Sequence, residues 1–238
     1  ITAKEKRELY ERITSHEVDI VIGTHALLQE GVQFASLGLV VTDEQHRFGV
    51  AQRSTLEKQG TERLPDVLVM TATPIPRTMT LTVYGDLDVS QVRHLPPGRK
   101  PVRTFVRTSA RRPLIYKYVR TQAEAGRQSY VVCPLVEQSD EEDLPSAEEV
   151  YDELRYGSLR GIPCGLVHGR MKDAEKEAVM QAFYENRIKL LVATTVIEVG
   201  VNVPNATGMM VENSGRFGLA QLHQLRGRVG RGGAQSYC

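Results

Sequence analysis

The sequence predicts an α/β protein of two lobes, each a parallel sheet covered by helices. Three observations predict it. Short, nearly continuous apolar runs rich in Val, Ile and Leu recur along the 238 residues, as in strands buried on both faces. Stretches of helical periodicity separate them, so strand and helix alternate as crossover connections require. Midway, His94 to Pro101 packs three prolines and one glycine into eight residues, which neither a helix nor a central strand tolerates. That break assigns residues 1–95 to the first lobe and 96–238 to the second.

In chain order, a helix over 3–14 precedes strands at 18–22 and 39–42. A helix over 50–59 leads to a strand at 67–70, and Pro76 sits where a proline can open the helix predicted over 76–84. The second lobe carries strands at 102–106, 129–135, 164–167, 190–194 and 209–212. Its helices are predicted over 112–125, 147–159, 173–185 and 219–226. Ser146, with Glu149 three residues on, forms a capping box for the helix at 147, and the acidic run 137–146 before it reads as a solvated loop. Residues 234–238 read as the opening of a further strand.

Composition narrows the class. With 41% hydrophobic and 25% charged residues, the chain is neither disordered, collagen-like nor a bare coiled coil. No apolar run approaches the ~18 residues of a membrane span, so no membrane partner is expected. Residues 1–12 are too charged for a signal peptide, and Cys133, Cys164 and Cys238 have no paired spacing, so neither a disulfide framework nor a zinc site is expected. The expectation is a cytoplasmic protein with reduced thiols. Net charge splits unevenly, with 10 basic and 13 acidic groups in 1–95 but 20 and 16 in 96–238. A diffuse excess of that size identifies no polyanion partner; a local cluster is needed.

Four tracts carry candidate chemistry. Asp43 and Glu44 follow an apolar strand, where doubly wound sheets open their ligand crevice. Adjacent acids can divide nucleotide hydrolysis, one anchoring Mg²⁺ on the phosphates and the other orienting the attacking water. Gln45 and His46 add groups able to report phosphate state. Taken alone, two acids here equally describe a charged strand end. Thr71 and Thr73 repeat the arrangement after the strand at 67–70, with an N-capping loop as the plain alternative. Thr194 and Thr195 do so after 190–194, where hydroxyls and amides suit a phosphate backbone or a ribose. Finally, Arg226, Arg228 and Arg231 lie within six residues among glycines. A planar guanidinium suits bidentate phosphate recognition, and an arginine presented to a transferring phosphoryl group speeds that step by about 10³ to 10⁵. A basic surface loop remains the alternative for that tract by itself.

In combination these tracts resemble the motor core of superfamily 2 helicases, specifically the RecG type of ATP-dependent branch-migration DNA helicase. The resemblance rests on DEQHRFGV (43–50), TATPIPRT (71–78), LVHGRM (166–171), VATTVIEVG (192–200) and LAQLHQLRGRVGRG (219–232), in order and spacing, and it covers essentially the whole chain. Transcription-repair coupling translocases usually carry a different residue pair after the two acids, and primosomal helicases depart further. The resemblance implies two RecA-like lobes of the P-loop NTPase helicase core, with an ATP site between them.

By the same resemblance, Asp43 holds Mg²⁺, Glu44 activates water, and Gln45, His46, Thr71 and Thr73 couple nucleotide to movement. Gly200, Asn202, Gln224 and Arg226 belong to the nucleotide cleft, and Arg228 and Arg231 are its arginine fingers. DNA contacts are implied for Thr24, His25, His168, Gly169, Arg170, Thr194 and Thr195. Asn202 stands where the family commonly has Asp in V-D-V-P, which removes a charge from that coupling position.

The sequence contains no G-x-x-x-x-G-K-[ST] loop. The expectation is a fragment, its first lobe truncated on the N-terminal side, its second lobe short of its last strand, and the branched-DNA wedge of the family missing. The parent is expected to be a monomeric ATP-dependent helicase acting on branched or duplex DNA, and this polypeptide alone to hydrolyse ATP negligibly. A transcription-repair coupling translocase and a non-catalytic nucleic-acid-binding module are the alternatives.

Overall fold

The structure, a computed structural model, describes residues 2–28, 32–43, 65–71, 88–92, 94, 96–135, 146–195 and 202–238. Chain contacts separate two compact units, Ile1–Met79 and Thr80–Cys238.

In the first unit, helix α1 (Ala3–Thr14) begins at a reciprocal cap: the Thr2 hydroxyl accepts from Glu5 N–H at 3.3 Å, and the Glu5 carboxylate accepts from Thr2 N–H at 2.7 Å. Strands β1 (Leu39–Thr42) and β2 (Asp66–Val69) pair in parallel, with Leu39 opposite Asp66 and Thr42 opposite Val69. The run 18–22, which the sequence predicts as a strand, forms none. Among the described residues no strand lies beside it, and Ile20 and Ile22 are 78% and 93% exposed. Apolar β-branched residues favour extended backbone, but a strand persists only where a neighbour takes its N–H and C=O groups. The helices predicted over 50–59 and 76–84 lie outside the described residues.

The second unit is a four-stranded parallel sheet, β3 (Gln128–Val132), β4 (Cys164–Val167), β5 (Leu190–Ala193) and β6 (Ala206–Val211), in spatial order β4-β5-β3-β6. The two central strands, β3 and β5, are buried throughout; β5 therefore reads as an unbroken apolar run, whereas β3 becomes apolar only from Tyr130, after the buried Gln128 and Ser129. Alternation within them sorts side chains into two cores. Tyr130, Val132, Leu191 and Ala193 pack with Phe183 of α4 (Asp173–Tyr184) and Leu225 of α5 (Leu219–Arg226). Val131, Cys133, Leu190 and Val192 pack with Tyr116 and Val119 of α2 (Arg112–Glu124) and Val150 of α3 (Ala147–Glu153). Helices therefore cover both faces, as the sequence predicts.

Two elements of this unit depart from expectation. The helix predicted to run to 159 is α-helical only to Glu153; a wider turn over Leu154–Ser158 follows, where Gly157 leaves helical geometry at φ −108° and ψ −106°. The predicted strand 102–106 makes a single bridge, at Arg103, because its neighbour is only the short run 236–238. In that run Tyr237 makes isolated bridges to both Arg103 and Gly208, and Cys238 N–H donates to Arg103 C=O at 2.9 Å.

Burial of this sheet has a consequence at high pH. Burial, reinforced by the nearby Glu212 carboxylate, pushes the Cys133 thiol up to about 12, and burial alone pushes Tyr130 up to about 12. Both folded-state values exceed the ordinary ones, so the folded chain keeps protons that the unfolded chain releases above pH 9 to 10. Stability is therefore fully present below that window and falls as pH rises through it. In reductant, the urea midpoint is expected to drop between pH 8 and pH 10.5, and Cys133→Ala to flatten that drop; a flat wild-type profile would contradict the burial of these groups.

Candidate functional site

In the first unit the β1–β2 register sets Asp43 and Thr71 just beyond the carboxyl ends of adjacent parallel strands, joined by Met70 N–H donating to Thr42 C=O at 2.8 Å. The two residues the sequence singles out at separate strand ends are thus brought together. The Thr42 hydroxyl, beside Asp43, is buried without a hydrogen-bond partner. It was legible only as the last strand residue before the acids. Glu44, Gln45, His46 and Thr73 lie outside the described residues. Thr24 opens a 3₁₀ turn, His25–Leu28; its hydroxyl accepts from Ala26 N–H at 3.4 Å and its carbonyl from Leu27 N–H at 3.0 Å.

In the second unit His168 follows β4 and Thr194 follows β5. Thr194 N–H donates to Val167 C=O at 3.2 Å, so the two stand side by side at the carboxyl edge of the sheet. The chain turns through Gly169 and Arg170, closed by Met171 N–H donating to His168 C=O at 3.2 Å. One oxygen of Glu148, in the first turn of α3, accepts from the Arg170 guanidinium at 2.9 Å and lies 3.6 Å from His168 Nε2. Burial pushes the Glu148 carboxyl up, but the backbone, His168 and Arg170 outweigh it and hold the carboxyl below the usual carboxylate range. His168 Nδ1 and the Thr194 hydroxyl are both buried with no partner, and Thr195 is half-buried. Gly200 lies outside the described residues.

The arginine tract is held by its glycines. Helix α5 presents Gln224 and Arg226 in its last turns, with Arg226 3.2 Å from His223 Nδ1. Beyond it Gly230 takes φ +75°, and a Cβ there would meet Val102 at 2.8 Å; a Cβ at Gly232 would stand 2.5 Å from the Pro204 carbonyl oxygen. Only glycine lets this loop press so close to Val102 and to the segment that follows Asn202, which is itself exposed. Arg231 Nε donates to Gly227 C=O at 2.9 Å. Burial, then Arg228 and Arg99, lower the Arg231 guanidinium from its ordinary value. The charges of Arg228 and Arg99 thus act on Arg231; sequence spacing shows the first, while Arg99 comes from outside the tract.

Among the described residues no three His, Cys, Asp or Glu side chains come together to hold a metal ion, and no helix is long and apolar enough to cross a membrane. A cavity of about 1470 Å³ opens elsewhere on this unit, between α2, β6 and α5. It is lined by Phe105, Arg107, Tyr118, Met209 and Arg226, but not by His168, Thr194, Arg228 or Arg231.

Comparison with known proteins agrees with this geometry. Residues 111–233 match the helicase conserved C-terminal domain, and residues 1–81 match the DEAD/DEAH box helicase family. ATP-dependent DNA helicase RecG from Synechocystis sp. is 53% identical over 237 residues, covering 100% of this chain and 28% of the relative. RecG from Bacillus subtilis is 50% identical over 238 residues, covering 100% and 35%. The chain thus spans about a third of the length of the curated relatives it matches. A solved structure of RecG bound to a three-way DNA junction superposes with TM-score 0.74 at 47% identity, covering 100% of this chain and 30% of that one. An RNA-bound Mss116p structure shares the fold alone, with TM-score 0.62 at 15% identity over 97% and 49%. The chain belongs to the family of helicases that carry the helicase conserved C-terminal domain, and its likeness to the RecG type runs along its whole length.

Proposed function

We propose that this chain is part of the motor core of a RecG-type ATP-dependent DNA helicase. The full-length protein couples ATP hydrolysis to translocation on duplex DNA and thereby remodels stalled forks and Holliday junctions, as a monomer in the cytoplasm, while this polypeptide alone hydrolyses ATP negligibly. The observation that carries this reading is Arg231, held by Gly227 C=O in a partly buried position. Burial and then the Arg228 and Arg99 charges disfavour its charged form, and a polyphosphate that develops negative charge relieves that cost. Asp43 is the ligand for Mg²⁺. The ion binds through one or two carboxylates while phosphates and water complete its shell, which the exposed Asp43 beside the unpartnered Thr42 hydroxyl suits without a dedicated cage. Bound there, Mg²⁺ neutralises charge on the phosphates.

Glu44 orients the attacking water, and Gln45, His46, Thr71, Thr73, Gly200, Asn202, Gln224 and Arg226 relay nucleotide state. Thr24, His25, His168, Gly169, Arg170, Thr194 and Thr195 carry the strand. The test is conversion of a labelled three-way junction by the full-length protein that contains this core. ATP-dependent conversion is expected, with Glu44→Gln as the inactive blank. Conversion that is equal with and without ATP would overturn the proposal.

A further inference from the structure

The strand-end site of the second unit contains a contradiction. His168 Nδ1 and the Thr194 hydroxyl, just beyond adjacent strands, are buried with no partner among the described residues, and Thr194 is only 6% exposed. An unsatisfied buried polar group costs free energy, so two together call for a water or a ligand atom to complete the bonding. Yet the strongest donor of the same turn, Arg170, is already engaged, because its guanidinium donates to Glu148 Oε1 at 2.9 Å. That same oxygen is 3.6 Å from His168 Nε2. Glu148 therefore occupies with one carboxylate oxygen the position that an anionic oxygen would take between Arg170 and His168.

We propose that Glu148 is a specificity-determining residue of this site: a resident carboxylate that a nucleic-acid phosphate must displace before Arg170 and His168 can engage it. The inference rests on the reading of His168, Arg170 and Thr194 as strand-contacting residues. Arg170 is 77% exposed on its side chain, so exchange of its partner needs no unfolding. The ion pair with Glu148 is intramolecular and always present. A free anion arriving alone competes poorly with it, whereas a phosphodiester backbone held elsewhere along the chain is delivered at high effective concentration. The site thus favours a polyanion over inorganic phosphate. Glu148 sits in the first turn of α3, whose start is fixed by the Ser146 hydroxyl accepting from Glu149 N–H at 3.2 Å and Glu149 accepting from Ser146 N–H at 2.8 Å. The cap therefore fixes the backbone from which the Glu148 side chain reaches Arg170.

The experiment measures binding of a fluorescein-labelled 30-base-pair duplex to the chain by anisotropy, at fixed ionic strength, for wild type, Glu148→Gln, Arg170→Ala and the double variant. Asp152→Asn, one turn along the same helix, controls for a charge change alone. Glu148→Gln is expected to tighten binding about two- to fivefold, the scale of an exposed ion pair. Asp152→Asn is expected to change it less, Arg170→Ala to weaken it, and the gain from Glu148→Gln to vanish in the Arg170→Ala background. Inorganic phosphate is expected to compete more effectively with DNA on Glu148→Gln than on wild type. A gain that persists without Arg170, or that Asp152→Asn reproduces, overturns the displacement. Weaker binding by Glu148→Gln overturns it too, since Glu148 would then orient Arg170 toward DNA. If Arg170→Ala leaves affinity unchanged, the strand-contact reading itself fails and the proposal falls with it. Unchanged thermal midpoints separate all of these from misfolding.

Discussion

Arg231→Ala in the full-length helicase that contains this core is expected to lower kcat for DNA-stimulated ATP hydrolysis about 10³-fold while KM for ATP changes little. The ground for the size is the arrangement of charge. Arg231 is positioned by its own Nε donating to Gly227 C=O, by a loop whose course requires Gly230 and Gly232, and by partial burial. A guanidinium positioned in this way feels the charges of Arg228 and Arg99. Its favourable interaction is greatest when negative charge is greatest, in the transition state for phosphoryl transfer, so its loss falls on kcat rather than on ground-state binding. A 10³-fold loss corresponds to about 4 kcal/mol of transition-state stabilisation. Lysine should not rescue it, because an ammonium lacks the planar fork that grips two oxygens. Stability should not suffer, since burial and the Arg228 and Arg99 charges disfavour the charged form of Arg231 in the folded chain. A loss below tenfold with normal junction binding would remove Arg231 from the reacting site and leave Arg228 as the candidate.

What the sequence discloses follows from how local each signal is. The apolar runs at 130–132 and 190–193 were legible because strands buried on both faces carry mostly apolar residues, and helix α3 announces itself through Ser146 and Glu149. The run 18–22 misleads for the complementary reason: its composition favours extended backbone, but pairing depends on a neighbour the local sequence does not contain. Gly157 breaks a helix whose apolar periodicity continues past it. At the sites, residue types at strand ends were legible, as were the arginines spaced by glycine. Their partners were not. Arg99 reaches Arg231 from far away in the chain, Glu148 reaches Arg170 across 22 positions, and the Thr42 hydroxyl matters only because burial leaves it unpartnered. These are facts of packing, which one-dimensional spacing does not encode.

Phe183→Ala is expected to destabilise the second unit by about 3 to 5 kcal/mol, the cost of deleting a buried aromatic side chain from a core that closes only partly over the gap. Phe183 has no exposed surface, and its ring meets Tyr130 at a centroid distance of 4.9 Å and an angle of 55°. Its position is fixed from both sides: the Phe183 carbonyl accepts from the buried Gln128 amide, which also donates to Ile188 C=O at 2.9 Å, tying the end of α4 to the start of β3. The neighbourhood therefore cannot collapse freely into the vacated volume, which places the expected loss toward the upper part of the range. Amide exchange of Leu190–Ala193 reads this directly, because these central-strand amides exchange only through large openings. Their protection should fall by a factor matching the lost stability, whereas Phe183→Leu, nearer in volume, should cost less than about 1.5 kcal/mol. The same substitution connects core to chemistry. Tyr130 packs at a tilted angle against Phe183 and feels the Arg228 and Arg231 charges, so a Tyr130 ring that shifts in Phe183→Ala is expected to alter the surroundings of both arginines. In the full-length helicase, Phe183→Ala should then reduce kcat at temperatures well below its unfolding midpoint, and Phe183→Leu should restore it. Full activity of Phe183→Ala at such temperatures would show that the glycine contacts alone hold the arginine loop.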